Sequence, residues 1–246
     1  MGEVYLSVVI PAYNECENIA PVYERLKSSL EDMGRSYELV FVDDGSSDGT
    51  FDCLASLHEH DPKVKVIQLK RNYGKTVALD VGFKAASGKL IGMMDADLQV
   101  DPAGITSALA KIDGGYDAVV GWRHDRHDSF SKLMFSKAYN TLRSLLFWDG
   151  FHDSNCPLQV YRRECILGLE LYSDMHRYIP TLLYLKGFRV AEVKVTHMPR
   201  MRGKSKYGCG RLVRGLLDLI RLKVQSMNKT KPMLEDNTLK IKTNLL

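Results

Sequence analysis

What this 246-residue chain lacks narrows its class first. No apolar run approaches the ~18–20 residues that a bilayer span needs, so nothing reads as a transmembrane helix. The five cysteines, Cys16, Cys53, Cys156, Cys165 and Cys209, form no C-x-x-C pair. An odd, scattered set suggests neither a zinc knuckle nor a disulfide framework and fits reduced thiols in a cytoplasmic setting. No charge sign dominates; a formal net charge of +4 is too mild to point to nucleic acid. No internal repeat or low-complexity block is visible, and the first fifteen residues lack the layout of a signal peptide. What remains is ordinary for a globular protein, 45% hydrophobic and 26% charged. The length suits one α/β domain with a large core, or two small ones.

Apolar runs and helical patterns alternate through the first half. Strands are expected over 5–11, 37–43, 64–69, 90–95 and 117–121. Helices are expected over 18–33 with Asn18 as cap and Gly34 as stop, over 51–60, over 75–87, and from Asp101-Pro102 onward. Such alternation implies parallel β-α-β units. After residue 122 the rhythm changes. A polar loop over 122–129 holds Arg123, a long helix is expected over 131–148, and a mixed region follows. A strand over 189–195 then leads into a very basic loop over 197–208. An amphipathic helix is expected over 211–225. The expected organisation is one domain over 1–228: a first half over 1–122, a second over 123–210, then that helix. A polar tail over 229–246 reads as disordered.

Two acidic turns carry the chemistry. One closes the run Val40-Phe41-Val42 with Asp43-Asp44-Gly45-Ser46-Ser47-Asp48-Gly49-Thr50. The other closes Ile91-Gly92-Met93-Met94 with Asp95-Ala96-Asp97-Leu98-Gln99. Clustered carboxylates repel and lose hydration, so a strand ending in them implies a cation. In an open α/β sheet the strand ends are where ligands bind. Asp95 and Asp97 stand two apart and point to one side. With the Gln99 amide they form a hard-oxygen set suited to Mg²⁺ or Mn²⁺. Asp-Gly-Ser-Ser-Asp-Gly is also good turn and N-cap chemistry, which accounts for Ser46, Ser47 and Asp48 but not for Asp43. Pro11, Tyr13 and Glu15 end the first strand, where a base could stack and a ribose donate. Tyr13 packing on the next helix is the competing reading. Arg71 and Lys75 flank a helix start suited to a diphosphate, or form an ordinary basic loop.

The chain resembles family 2 glycosyltransferases of the GT-A fold, an α/β fold with a mostly parallel central sheet. The matching segments are Ser7–Glu15, Val42–Thr50, Asn72-Tyr73-Gly74-Lys75 and Met94–Gln99. Tyr161-Arg162-Arg163-Glu164, His176–Pro180 and Arg202–Gly208 further resemble dolichyl-phosphate mannosyltransferases and bacterial polyprenyl-phosphate sugar transferases. The resemblance runs from about residue 5 to residue 225. It implies an inverting hexosyltransferase moving a sugar from a GDP- or UDP-sugar to a polyprenyl phosphate, with Mg²⁺ or Mn²⁺. Pro11, Tyr13, Glu15 and Asp43 would then hold the nucleoside. Asp95 would hold donor and metal, and Asp97 and Gln99 the metal directly. Arg123, Lys132 and Ser136 would bind the acceptor phosphate. Arg200, Arg202, Lys204 and Lys206 would close over donor and phosphate. Asp153 is a candidate for orienting the acceptor.

The chain departs from the family in two places. Pro157 and Gln159 stand where relatives often have Gly and Arg, which puts a phosphate contact there in doubt. Many relatives also carry transmembrane helices near the C-terminus. This chain reads as a peripheral form on the cytoplasmic face of a membrane, with any spanning part elsewhere or on a separate subunit. Its 211–225 helix, with Arg211, Arg214 and Arg221 on one stripe, would lie on anionic lipid or pack on its own domain. Two alternatives stay open: a transferase acting on a soluble sugar or glycan, and a non-catalytic sugar-nucleotide-binding module. A receiver domain, which also pairs acidic residues after strands, is shorter and spaced differently.

Overall fold

The computed structural model describes residues 3–125, 130–172, 174–199, 218–223 and 244–245. Strands β1 (Leu6–Ala12), β2 (Tyr37–Asp43), β3 (Val64–Gln68) and β4 (Leu90–Met93) alternate with helices α1 (Cys16–Glu31), α2 (Thr50–His60) and α3 (Lys75–Ala85). Then come α4 (Gly104–Asp113), β5 (Ala118–Arg123), α5 (Phe130–Phe147), β6 (Gln159–Arg162), α6 (Arg163–Leu167), α7 (Ile179–Leu185), β7 (Val190–Val195) and β8 (Asn244–Leu245). They form one sheet in the order β7-β5-β6-β4-β1-β2-β3-β8. Strands β1 to β4 pair in parallel, as does β5 with β7. Strand β6 runs antiparallel between β4 and β5.

Period-2 alternation sorts the strands onto two covered faces. Leu6, Val8, Ile10 and Ala12 of β1 pack with α1, α2 and α4, while Val9 faces α3, α6 and α7. All seven residues of β2 are buried, as a central strand between two helix layers requires. Helix α3 lies so close to the sheet that a Cβ on Gly82 would collide with Val9.

The parallel units appear where alternation implied them, with adjusted ends. Helix α1 starts at Cys16, not Asn18. Glu15 occupies the N-cap position, and Asn18 lies buried in the first turn, donating to Glu15 Oε2 at 2.6 Å. Strand β5 runs on through Arg123, which the sequence placed in a loop. The mixed region resolves into β6, α6, a 3₁₀ turn over Met175–Tyr178, and α7. Residues 244–245, within the expected tail, pair with the β3 edge.

Of the expected 211–225 helix, only 218–223 is described, and it is helical. Leu219 and Leu222 are buried against Phe147, Met175 and Tyr178, and Lys223 Nζ donates to the Leu146 carbonyl at 2.7 Å. This turn commits those two leucines to its own domain rather than to lipid. Arg211 and Arg214 lie outside the described residues.

Candidate functional site

Strand register sets the level of the site. Ala12 pairs with Asp43, and Asp43 with Gln68, so three parallel strands end together. Val9 pairs with Met93, which carries the chain after β4 to the same carboxyl edge.

The β2–α2 turn is tied to the β1–α1 loop. Asn14 N donates to Ser46 Oγ at 2.8 Å, Ser47 N to Asn14 Oδ1 at 2.9 Å, and Glu15 N to Thr50 Oγ1 at 2.9 Å. Asp48 Oδ1 accepts from Thr50 N at 3.0 Å, at the start of α2. The serines and Asp48 thus serve the turn, as their spacing suggested. Pro11, Tyr13 and Glu15 are half-buried along this rim.

Asp43 and Asp44 are both buried and differ in use. Asp43 Oδ1 accepts from Ser46 N at 3.1 Å, while Oδ2 is buried with no hydrogen-bond partner among the described residues. A buried carboxylate oxygen left without a donor costs about 1–3 kcal/mol, so this atom suits a ligand N–H or O–H. Asp44 spends both oxygens on the next loop, accepting from Tyr73 N at 2.8 Å and Gly74 N at 2.9 Å. Burial pushes its carboxyl up to about 6, with neighbouring Asp43 adding to the rise and the two N–H donors opposing it. Gly45, at φ +69°, lets the Arg71 main chain pass where a Cβ would collide.

That loop delivers Lys75 to the second acidic turn. Lys75 Nζ lies 2.5 Å from Asp95 Oδ1, and the exposed Arg71 guanidinium lies over the Tyr73 ring. Asp95, Asp97 and Gln99 are half-buried, while Ala96, Leu98 and Val100 are buried in the core. The three oxygen-bearing side chains therefore share the accessible side. Leu98 holds φ +56°, a left-handed conformation costing a β-carbon-bearing residue about 1–2 kcal/mol. Such strain clusters at ligand sites. Among the described residues no three His, Cys, Asp or Glu side chains gather as a metal cluster. The donor set still fits Mg²⁺ or Mn²⁺, which take one or two carboxylates plus substrate phosphates.

The acceptor candidates assemble in part. Arg123 Nε donates to Asp153 Oδ2 at 2.7 Å and Nη2 to Oδ1 at 3.0 Å, so two separately chosen residues form one bidentate unit. Glu192 of β7 holds the Asp153 loop, accepting from His152 N at 2.8 Å and Asp153 N at 3.2 Å. The Trp122 and His152 rings stack at 4.1 Å beside it. Ser136 is half-buried on α5. Lys132 falls in the first turn of α5, its side chain outside what is described. Arg200, Arg202, Lys204 and Lys206 also lie outside the described residues. The chain leading to them is pinned at the second acidic turn: Val100 bridges His197, and Met198 N donates to Gln99 O at 2.9 Å.

Gln159 answers one sequence departure. It is buried in β6, its Nε2 donating to Cys156 O at 2.7 Å and its Oε1 accepting from the Tyr161 hydroxyl. Its amide is used inside the sheet. Sequence reading missed Glu192 and the Thr76–His176 contact at 2.7 Å behind Lys75, since both depend on segments far apart in the chain. It also gave Asp44 no role, although the adjacent acidic pair was visible.

The fold and this strand-edge site define a GT-A glycosyltransferase. The model of the family described as Glycosyl transferase family 2 matches residues 7–167, about two thirds of the chain. The chain belongs to that family. Dodecaprenyl-phosphate galacturonate synthase of Rhizobium johnstonii is 34% identical over 232 residues, covering 92% of this chain and 69% of the relative. Two solved structures share the fold. The mannosyltransferase PcManGT of Pyrobaculum calidifontis, in complex with GDP-Man and Mn²⁺, has a TM-score of 0.63 at 18% identity, over 94% of this chain and 66% of its own. Glucosyl-3-phosphoglycerate synthase of Mycobacterium tuberculosis, in complex with Mn²⁺ and UDP-glucose, has a TM-score of 0.67 at 18% identity, over 89% and 79%.

Proposed function

We propose that this glycosyltransferase moves a sugar from a GDP- or UDP-sugar to a polyprenyl phosphate, working peripherally at the cytoplasmic face of a membrane. The carrying observation is the continuous network from Asp43 and Asp44 through the 71–75 loop to Lys75 and Asp95. It lines one strand edge with a base-binding end and a charge-neutralising end. The curated relative, named for a polyprenyl-phosphate product, supports the acceptor class.

In this reading Asp43 Oδ2 accepts from the base, with Pro11, Tyr13 and Glu15 around the nucleoside. Asp95, Asp97 and Gln99 would hold Mg²⁺ or Mn²⁺, which neutralises the donor diphosphate when bound. Lys75 orients Asp95 by their ion pair, and with Arg71 adds positive charge beside the leaving group. A phosphate oxygen of the acceptor attacks the anomeric carbon as the bond to the donor diphosphate breaks, inverting that centre. The attacking oxygen is already anionic, so no strong general base is needed, and positioning and charge stabilisation carry the rate. Asp153 positions Arg123 toward the acceptor phosphate, with Lys132 and Ser136 nearby in sequence. Arg200, Arg202, Lys204 and Lys206 would close the site, their chain anchored at Gln99 and Val100.

The test incubates the protein and Mn²⁺ with a panel of radiolabelled sugar nucleotides and polyprenyl phosphate, then extracts with organic solvent. Label from one donor should enter the organic phase, and Asp97→Ala should abolish both transfer and metal-dependent nucleotide binding with the fold intact. Label moving only to water-soluble sugars would favour the soluble-acceptor alternative, and full activity in excess chelator would remove the metal.

A further inference from the structure

Glu192 is a carboxylate on β7, the outer strand of the sheet, and its side chain is only 15% exposed. A charge so placed needs donors. It takes them from one turn 40 residues away in the chain. Oε1 accepts from His152 N at 2.8 Å and from Asp153 N at 3.2 Å, and Oε2 pairs with His152 Nδ1 at 2.7 Å. Among the described residues all its hydrogen bonds go to these two neighbours. The imidazole is held from a second side, stacked on the Trp122 ring at 4.1 Å.

The turn that Glu192 holds carries half of an ion pair. The Asp153 side chain, 4% exposed, grips Arg123 through both Nε and Nη2. A guanidinium is planar, so two bonds to one carboxylate fix its plane and its direction. Glu192 therefore sets Asp153, and Asp153 sets Arg123. Register adds a second constraint. Val120 pairs with Glu192 and Arg123 with Val195, so β7 also fixes the main chain from which Arg123 projects.

Strand β7 then runs on to the second acidic turn. Asp101 N donates to Thr196 O at 3.2 Å, and Met198 N to Gln99 O at 2.9 Å. One strand thus joins the Arg123–Asp153 pair to the turn bearing Asp95, Asp97 and Gln99. That link matters for a transfer between two bound substrates. A misplacement of about 1 Å, caused away from the reacting atoms, can cost about a hundredfold in rate.

We propose that Glu192 is a positioning residue for the acceptor: through Asp153 it directs Arg123 at the acceptor phosphate, and it touches neither substrate itself. This rests on the acceptor reading above, and one arm of its test does not.

The test compares Glu192→Ala and Glu192→Gln in the full chain, with Mn²⁺, the sugar nucleotide that labels the organic phase, and a short-chain polyprenyl phosphate in detergent. Glu192→Ala should raise the acceptor KM about tenfold or more and leave the donor KM within about twofold. Glu192→Gln keeps an oxygen for both main-chain N–H groups and should recover most of the acceptor KM. His152→Ala, which removes only the ring bond, should move the acceptor KM the same way by less, and serves if Glu192→Ala does not fold. A residue that served folding alone would lower the thermal midpoint and move both KM values together.

The second arm needs no substrate. The Arg123 Nε–H resonance, assigned by its loss in Arg123→Lys, should shift in Glu192→Ala and return in Glu192→Gln. An unshifted resonance would overturn the proposal. So would a wild-type acceptor KM in Glu192→Ala, or parallel changes in both KM values. If the wild type transfers to no polyprenyl phosphate, the acceptor reading fails, and the resonance alone then judges whether Glu192 sets Arg123.

Discussion

Asp43 and Asp44 are adjacent and buried, yet only Asp44 has both carboxylate oxygens hydrogen-bonded among the described residues. Asp43 keeps an oxygen without a donor, so replacing it with Ala should weaken nucleoside diphosphate binding about tenfold or more while leaving stability unchanged or raised. Isothermal titration with the nucleotide alone checks this. Asp44 makes a pH prediction. Its folded pKa, about 6, exceeds its ordinary 3.8. Between those values the folded state holds more of this proton than the unfolded state. Its contribution to stability therefore falls as pH rises from about 4 to about 6, then levels off. Asp44→Asn should flatten that segment in denaturation midpoints measured from pH 4 to pH 8. Asp43 was singled out from sequence because it ends an apolar strand. The role of Asp44 needed the 71–74 loop in place, and no local pattern announces a contact 29 residues away.

The elements of the site are loops stapled to one another rather than rigid helices. Gly45 is the tightest crossing. Gly45→Ala adds a Cβ at φ +69° against the Arg71 main chain. It should cost about 2 kcal/mol or more in stability and weaken donor binding, because the loop that carries Lys75 must move. Urea denaturation and donor titration read the two effects. Across the sheet, Asp153→Asn removes the charge that holds Arg123, which should raise the acceptor KM more than the donor KM. Steady-state kinetics with each substrate varied separates the two, and equal changes would return Asp153 to a purely structural role. Strands and helices through residue 121 were legible because buried parallel strands are near-continuous apolar runs between helices of amphipathic pattern. Between residues 149 and 188 they were not. Strand β6 is four residues long and antiparallel, and it is defined by β4 and β5 on either side.

At the scale of the molecule, the described turn of the C-terminal helix packs on its own domain. The 211–225 pattern suggested a lipid-facing surface, but Leu219 and Leu222 close a cluster with Phe147, Met175 and Tyr178. Leu219→Asp should therefore destabilise the fold by about 3 kcal/mol or more, by loss of packing and burial of a carboxylate. Thermal unfolding without lipid measures it, and an unchanged midpoint would show that this turn is not held to the domain.

By itself the sequence determined the parallel β-α-β frame, the family, and the two acidic turns at strand ends. Each is written in contiguous residues whose period or spacing has a local physical cause. Tertiary structure decided which carboxylate keeps a vacant oxygen, which lysine meets Asp95, and that Arg123 and Asp153 form one unit. It also decided which amphipathic helix turns its apolar side inward. Those outcomes depend on desolvation and on partners from other strands, and amphipathicity alone states that a helix has two faces, not which one meets the core.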